Sequence, residues 1–329
     1  MSRTIDREME SPRAGIPVLD LSAFEGRQAE FACALGEAFG EYGFVGVINH
    51  GVDESVTREA EEQFRALFEL PVQTLERYAQ PGTGGARGYT GFGVEHARDR
   101  TAPDLKEFWQ VGREIAPENN PLPDVLLPNL WPAEVNGFRS AALALYHQLD
   151  TLGRRLLSGI ACHLGLAPDW FESKVDRGNS ILRAIHYPPL NEPEPGAVRA
   201  ASHEDINVIT LLIGSREDGL EILSRGNEWV PVRTPPGTIV VNVGDMLSRL
   251  TNDRLRSTTH RVVNPEGAAA GRSRYSMPYF VHFNPDFEIR TLPGCVDPEH
   301  PDRYPEPITA RDFLTRRLRE IGLLDQGTG

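Results

Sequence analysis

The second half of the chain restricts its fold most. From Ser180 onward, short apolar runs (ILRAIHY, INVITLLI, GLEIL, WVPVR, TIVVNVG, THRVV and RYSMPYFVHF) are separated by Pro, Gly and Asn turns. That spacing predicts antiparallel strands arranged as a sandwich or barrel. SRGN between GLEIL and EWVPV signals a hairpin, and TPPG before TIVV signals another turn. Asp245 is expected to cap one short helix, MLSRLTN, that interrupts the strands.

The first half has a different texture. IPVLDL reads as a first strand, and GRQAEFACALGEAFGEYG places Phe31, Leu35, Ala38 and Phe39 at helical spacing, with Gly43 as the stop. FVGVINHGV reads as a buried strand closed by a turn, and Asp53 can cap a helix that Pro71 ends. GTGGARGYTGFG, residues 82–93, is glycine-rich and reads as a loop; without GK[ST] it lacks the signature of a phosphate cradle. A second helical stretch from about Ala133 to Leu166 carries Leu145, Leu149, Leu152, Leu156 and Ile160 on one face. Thr309 opens a last helix, with Asp312 completing a capping box. The expected layout is a flexible tail over 1–14, a helical and strand region over 15–130, a helix plus β core over 131–308, and a C-terminal helix and tail over 309–329.

Composition narrows the function classes. A net charge of −13 leaves no basic excess for a nucleic-acid partner. The three cysteines, Cys33, Cys162 and Cys295, are far apart and in no CxxC spacing, which argues against a disulfide framework or a cysteine zinc site. The polar start of the chain lacks a signal-peptide core, and no apolar run approaches the roughly 18 residues of a membrane span. A cytoplasmic protein without a membrane association is expected.

The segment ASHEDINVITLLIGS, residues 201–215, puts three ionisable side chains in front of an apolar run. One reading is a solvated strand end. The other is a metal site: on a strand, side chains at i and i+2 share a face, so His203 and Asp205 can reach one ion while Glu204 points away. His260, at the start of HRVV, offers a third ligand. Two imidazoles and a carboxylate suit Fe(II) with open coordination positions, and zinc can take the same set. Fourteen residues after His260, Arg274 and Ser276 share a strand face, where a guanidinium and a hydroxyl could bind a carboxylate.

This ordered set resembles the isopenicillin N synthase-like branch of the Fe(II)/2-oxoglutarate-dependent dioxygenases. IPVLDLS, FGEYGFVGVINHGV and GYTGFGVE with PDLKEFWQVGRE are similar to that family's N-terminal region. LRAIHYPP, HEDINVITLL, PGTIVVNVGDML, THRVVNP and RYSMPYFVHFNPD are similar to its catalytic core. The resemblance spans nearly the whole chain. It implies a mixed α and β fold with a double-stranded β-helix (jelly-roll) core flanked by helices. It also implies Fe(II) on His203, Asp205 and His260, with 2-oxoglutarate and O2 as co-substrates.

By the same resemblance Arg274 and Ser276 would bind the distal carboxylate of 2-oxoglutarate, with Tyr187 helping. Where many plant members have asparagine two residues before that tyrosine, this chain has Ile185. Arg183, Tyr89 and Phe92 are expected in the substrate pocket, and no side chain is assigned as catalytic acid or base. The expected reaction is hydroxylation, desaturation or cyclisation of a small molecule, an amino acid or secondary metabolite, coupled to formation of succinate and CO2. Two other readings stay open on the residues: an Fe(II) oxidase that does not use 2-oxoglutarate, and a non-catalytic metal-binding β-barrel.

Overall fold

The computed structural model describes residues 15–95, 104–116, 118, 120, 122–123, 125–190, 197–213, 219–265, 267–321 and 323–324. The tail expected over 1–14 and the end of the C-terminal tail, 325–329, lie outside the described residues. In chain order, β1 (Val18–Asp20) leads to α1 (Gln28–Glu41), β2 (Phe44–Ile48), α2 (Glu54–Phe68) and the one-turn α3 (Val72–Leu75). Then come β3 (Gly88–Thr90), β4 (Glu107–Gly112), the long α4 (Phe138–His163) and α5 (Glu172–Val175). The β-rich half holds β5 (Ile181–Tyr187), β6 (Ala200–His203), β7 (Ile209–Ile213), β8 (Leu220–Leu223), β9 (Trp229–Pro231) and β10 (Ile239–Val243). After α6 (Asp245–Leu250) follow β11 (His260–Val262), β12 (Arg274–Val281), β13 (Glu288–Ile289), β14 (Ile308–Thr309) and α7 (Ala310–Glu320).

Local chemistry sets several of these boundaries. Gly43 has φ +68°, which ends α1 and turns the chain into β2. Asp53 caps α2 by accepting from the Ser55 N–H at 2.7 Å, and Thr309 caps α7 by accepting from the Asp312 N–H at 3.1 Å. The SRGN turn does join an antiparallel hairpin, β8 with β9. Two expectations need correction. Gly244, not Asp245, is the N-cap of α6; Asp245 begins the helix and its carboxylate pairs instead with Arg317 at 3.0 Å. The glycine-rich segment is not all loop, because Gly88–Thr90 pairs antiparallel with β4, whose outer edge would otherwise lack a partner.

The core is the double-stranded β-helix. An eight-stranded sheet runs β1-β2-β10-β7-β12-β5-β4-β3, and a four-stranded sheet runs β6-β11-β8-β9. Strands from the first half of the chain therefore close both edges of the larger sheet. That sheet is buried on both faces, which explains its nearly continuous apolar runs. Its outer face, with Trp109, Leu182, Leu211, Val241 and Tyr279, packs with α1, α2 and α4 in one cluster. The α4 stripe of Leu145, Leu149, Leu152, Leu156 and Ile160 is fully buried there. Its inner face meets the small sheet through two lesser clusters, Phe108, Ile185 and Tyr187 with Ala200 and Val262, and Phe44 and Val240 with Ile222. The cavity lies between these sheets. Among the described residues no helix is long and apolar enough to cross a membrane.

Gly43 is where the helical layer and the sheet meet most closely. A Cβ there would meet the Thr258 hydroxyl and the Arg256 carbonyl, and the backbone is already left-handed. Gly43→Ala is expected to destabilise the protein by about 1–3 kcal/mol, measured by denaturant unfolding. An unchanged midpoint would contradict this packing.

Candidate metal centre

His203 ends β6 and His260 begins β11, and the two residues are register partners across the antiparallel pair. Their ring centroids are 4.3 Å apart. Asp205 lies two residues past His203, beyond the strand end, in the irregular link to β7. Its Oδ1 is 3.9 Å from His203 Nε2 and 3.8 Å from His260 Nε2, and the three ligand atoms all lie within 4.8 Å of one another. The structure thus brings together the three residues that the sequence singled out. Glu204 lines the cavity but is not part of this cluster: it is exposed and accepts a hydrogen bond from the Thr259 hydroxyl at 2.9 Å.

The donor atoms are oriented for a cation. His203 Nδ1 lies 2.7 Å from the Ala201 carbonyl, and His260 Nδ1 lies 3.0 Å from the Thr258 carbonyl. A carbonyl can only accept, so each Nδ1 carries the proton and each Nε2 offers a lone pair to the centre. Asp205 Oδ2 accepts from the Thr210 hydroxyl at 2.6 Å and from Asn242 Nδ2 at 2.8 Å, leaving Oδ1 for the histidines. Burial works against the charged form of Asp205, but His260, His203, Asn242 and Thr210 together hold its carboxyl below the ordinary value. Burial beside His203 lowers His260 to about 4, so its imidazole is neutral near pH 7. A carboxylate with two imidazole Nε2 atoms turned toward one point fits a divalent metal and leaves further positions open.

The triad faces a cavity of about 400 Å³. Every second residue of β5 from Ile181 to Tyr187 and of β12 from Arg274 to Phe280 lines it, as does His282 just beyond. At one end, Arg274 is register partner of Tyr187, and Ser276 of Ile185. The Arg274 guanidinium sits 4.9 Å over the Tyr187 ring. Arg274 is 3 % exposed, and its Nε and Nη1 have no hydrogen-bond partner. A buried guanidinium with orphaned donors calls for an anion, and the neighbouring Ser276 hydroxyl lines the same end of the cavity.

The expected substrate-pocket residues divide. Arg183 lines the cavity. Tyr89 does not: it is 3 % exposed, belongs to the helix-facing core, and donates to Glu107 at 2.5 Å. Phe92 is absent from the lining too and is 51 % exposed. Reading residues 82–93 as a loop throughout hid this placement, because β3 turns Tyr89 toward the helices.

Sequence reasoning missed a buried charge network on the same wall. Lys106 pairs with Glu95 at 2.7 Å and with Asp104 at 2.8 Å, and Arg183 lies 3.5 Å from Glu95. Burial alone would raise Glu95, yet Lys106 and Arg183 bring it down to about 2. His282 is also buried at the wall, and burial lowers it to about 4, so it is neutral. The one available signal was the clustering of Asp104 and Lys106 ahead of EFWQVG, in a chain with only two lysines. Leu314, Arg317, Leu318, Ile321 and Leu323, on α7 and just after it, roof the cavity.

Two family models match. One, the non-haem dioxygenase in morphine synthesis N-terminal model, covers residues 16–134; the other, the 2OG-Fe(II) oxygenase superfamily model, covers residues 178–283. Proline hydroxylase buaE of Petromyces alliaceus is 34% identical, covering 91% of this chain and 95% of that one. A protein from Caulobacter crescentus assigned to the 2OG-Fe(II) oxygenase family superposes with a TM-score of 0.87 at 46% identity, covering 94% of this chain and 99% of that one. A full-length Neurospora crassa protein, solved in complex with alpha-KG and thymine, superposes with a TM-score of 0.82 at 30% identity, covering 94% of this chain and 98% of that one.

The geometry separates Asp205 from Glu204 in an experiment on metal content. Asp205→Ala is expected to abolish stoichiometric Fe(II) binding, measured anaerobically by equilibrium dialysis, while Glu204→Ala retains it. Loss of the metal in Glu204→Ala, with retention in Asp205→Ala, would invert the assignment.

Proposed function

The chain belongs to the 2OG-Fe(II) oxygenase superfamily, and from that premise we propose that His203, Asp205 and His260 hold Fe(II) while Arg274 and Ser276 hold the distal carboxylate of 2-oxoglutarate. The protein is a non-haem Fe(II)/2-oxoglutarate-dependent oxygenase acting on a small molecule. The observation that carries the co-substrate assignment is Arg274, buried with Nε and Nη1 unpartnered. Bound in this cavity, Fe(II) with 2-oxoglutarate and O2 supplies the power to oxidise an unactivated C–H bond, with succinate and CO2 as co-products.

The protein's own residues bind, orient and enclose. Asp205 stays ionised because Thr210 and Asn242 solvate one of its oxygens in place of water. The Ala201 and Thr258 carbonyls fix both imidazole rings by holding their Nδ1 protons. Tyr187 supports the Arg274 guanidinium from its ring face, and Ile185 presents an apolar surface opposite Ser276. The two sheets and the C-terminal helix bury Asp205, His260 and Arg274, which strengthens their contacts, while His203 stays partly exposed. No side chain is needed as a general acid or base.

The substrate is a compact polar metabolite. Pockets for small molecules span about 300–1,000 Å³, and this one must hold both co-substrate and substrate in about 400 Å³. Two relatives point the same way, one named a proline hydroxylase and the other seen with thymine. An amino acid or a related secondary metabolite fits that size and polarity, with hydroxylation the simplest outcome. Cys33, Cys162 and Cys295 are thiols rather than disulfides, which suits a reducing, cytoplasmic setting. An Fe(II) oxidase that uses no 2-oxoglutarate is the lesser reading, since it leaves Arg274 without an anion.

Fe(II)-dependent release of succinate from 2-oxoglutarate tests this function. Arg274→Ala is expected to raise the KM for 2-oxoglutarate roughly 10- to 100-fold, the worth of one or two charged hydrogen bonds. Succinate release by the wild-type protein with an unchanged KM in Arg274→Ala would remove Arg274 from its role. No succinate release at all would contradict the function.

A further inference from the structure

Four cationic side chains line the cavity among the described residues: Lys106, Arg183, Arg274 and Arg317. Three have a counter-charge within 3.0 Å or an assigned ligand. Lys106 sits between Glu95 and Asp104, and Arg317 sits 3.0 Å from both Asp245 and Glu320. Arg274 belongs to the co-substrate end. Arg183 is different. Its Nε donates to Gln110 Oε1 at 3.2 Å, while its four terminal N–H groups donate to no described residue. Its Nη1 comes only within 3.5 Å of Glu95 Oε1, an ion pair without a hydrogen bond. An arginine present solely to neutralise Glu95 would close that gap.

The guanidinium is also held in place. Its central carbon lies 4.2 Å from the Phe108 ring centroid and 5.1 Å from that of Phe280. Gln110, which anchors Nε, is itself tied to the Gly85 carbonyl. Stacking and this tether cover the flat faces and one edge, so the terminal nitrogens are what the group can present. Glu95 and Arg183 line the same cavity as His203, Asp205 and His260, which puts this corner and the metal centre in one enclosure.

We infer that Arg183 is the specificity-determining residue for the substrate, and that the substrate is a compact carboxylic acid whose carboxylate takes the free terminal edge of this guanidinium. The inference rests on the oxygenase reading above and adds the chemical class of the second ligand. A carboxylate matches a planar fork of parallel N–H donors, whereas a primary amide offers one acceptor oxygen and a mismatched NH2. Glu95 and Asp104 are balanced by Lys106 and Arg183, so this corner is neutral before a substrate carboxylate arrives.

The test uses the full chain as its anaerobic Fe(II) and 2-oxoglutarate complex, with wild type beside Arg183→Gln and Arg183→Lys. The proteinogenic L-amino acids, benzoate, cyclohexanecarboxylate and butyrate are titrated, each beside its primary amide, and the midpoint of thermal unfolding is followed. At least one acid is expected to bind wild type about tenfold or more tightly than its amide. Arg183→Gln should lose that preference, and Arg183→Lys, which keeps the charge without the fork, should fall between. Acids that bind no better than their amides, no binding by any acid, or an undiminished preference in Arg183→Gln would each overturn the inference. The visible charge-transfer band of the Fe(II) and 2-oxoglutarate complex separates the two levels. Its absence from wild type defeats the oxygenase reading itself; its presence without acid preference defeats only the role of Arg183.

Discussion

Asp205 is a carboxylate taken out of water, and the site depends on how that burial is made tolerable. An isolated buried carboxylate would take up a proton and cease to be a good metal ligand. Here Thr210 on β7 and Asn242 on β10 each donate to it, and both strands belong to the large sheet. The two histidines beside it come from the small sheet. Asp205 therefore couples the two walls of the β-helix at one atom pair. The Asp205 carbonyl adds a further tie by accepting from the Asp245 N–H at 2.7 Å, which sets the start of α6. The position of the metal centre is thus a property of the whole core, not of one loop.

Strand periodicity then divides the cavity. On β5 and β12 alternate residues face inward, so one run of sequence supplies Tyr187 and Arg274 at one end and Ile181, Phe280 and His282 at the other. The opposite parity, Leu182, Tyr279 and Val281, packs on the helices. A single strand pair consequently serves both the hydrophobic core and the ligand sites. The C-terminal helix completes the enclosure, and Arg317 joins it to Asp245 close to the ligands. Two arginines on adjacent strands, Arg274 and Arg183, are separated along the wall and differently partnered, as the proposed anchors for co-substrate and substrate require.

Much of this was legible in the sequence, and the failures have physical causes. His203, Asp205 and His260 could be found because metal ligands need particular atoms at short spacing. The parity argument singled out Asp205, which does cluster with the two histidines although it lies past the end of β6; its direction comes from Thr210 and Asn242, not from a strand. The shared inward face of Arg274 and Ser276 was legible because β12 is long and regular. Tyr89 and Phe92 were misplaced because glycine-rich composition hides the pairing of Gly88–Thr90 with β4, a contact between segments far apart in sequence. The Glu95, Asp104, Lys106 and Arg183 network was harder to see: Asp104 and Lys106 lie close in sequence, but Arg183 joins them only from β5, beside β4.

An anaerobic crystal structure with Fe(II) and 2-oxoglutarate tests the account most directly. It is predicted to hold the metal on His203 Nε2, Asp205 Oδ1 and His260 Nε2, with the distal carboxylate of 2-oxoglutarate on Arg274 and Ser276 and the terminal nitrogens of Arg183 free. A metal bound by Glu204, or a co-substrate carboxylate seated on Arg183 with Arg274 still unpartnered, would contradict it.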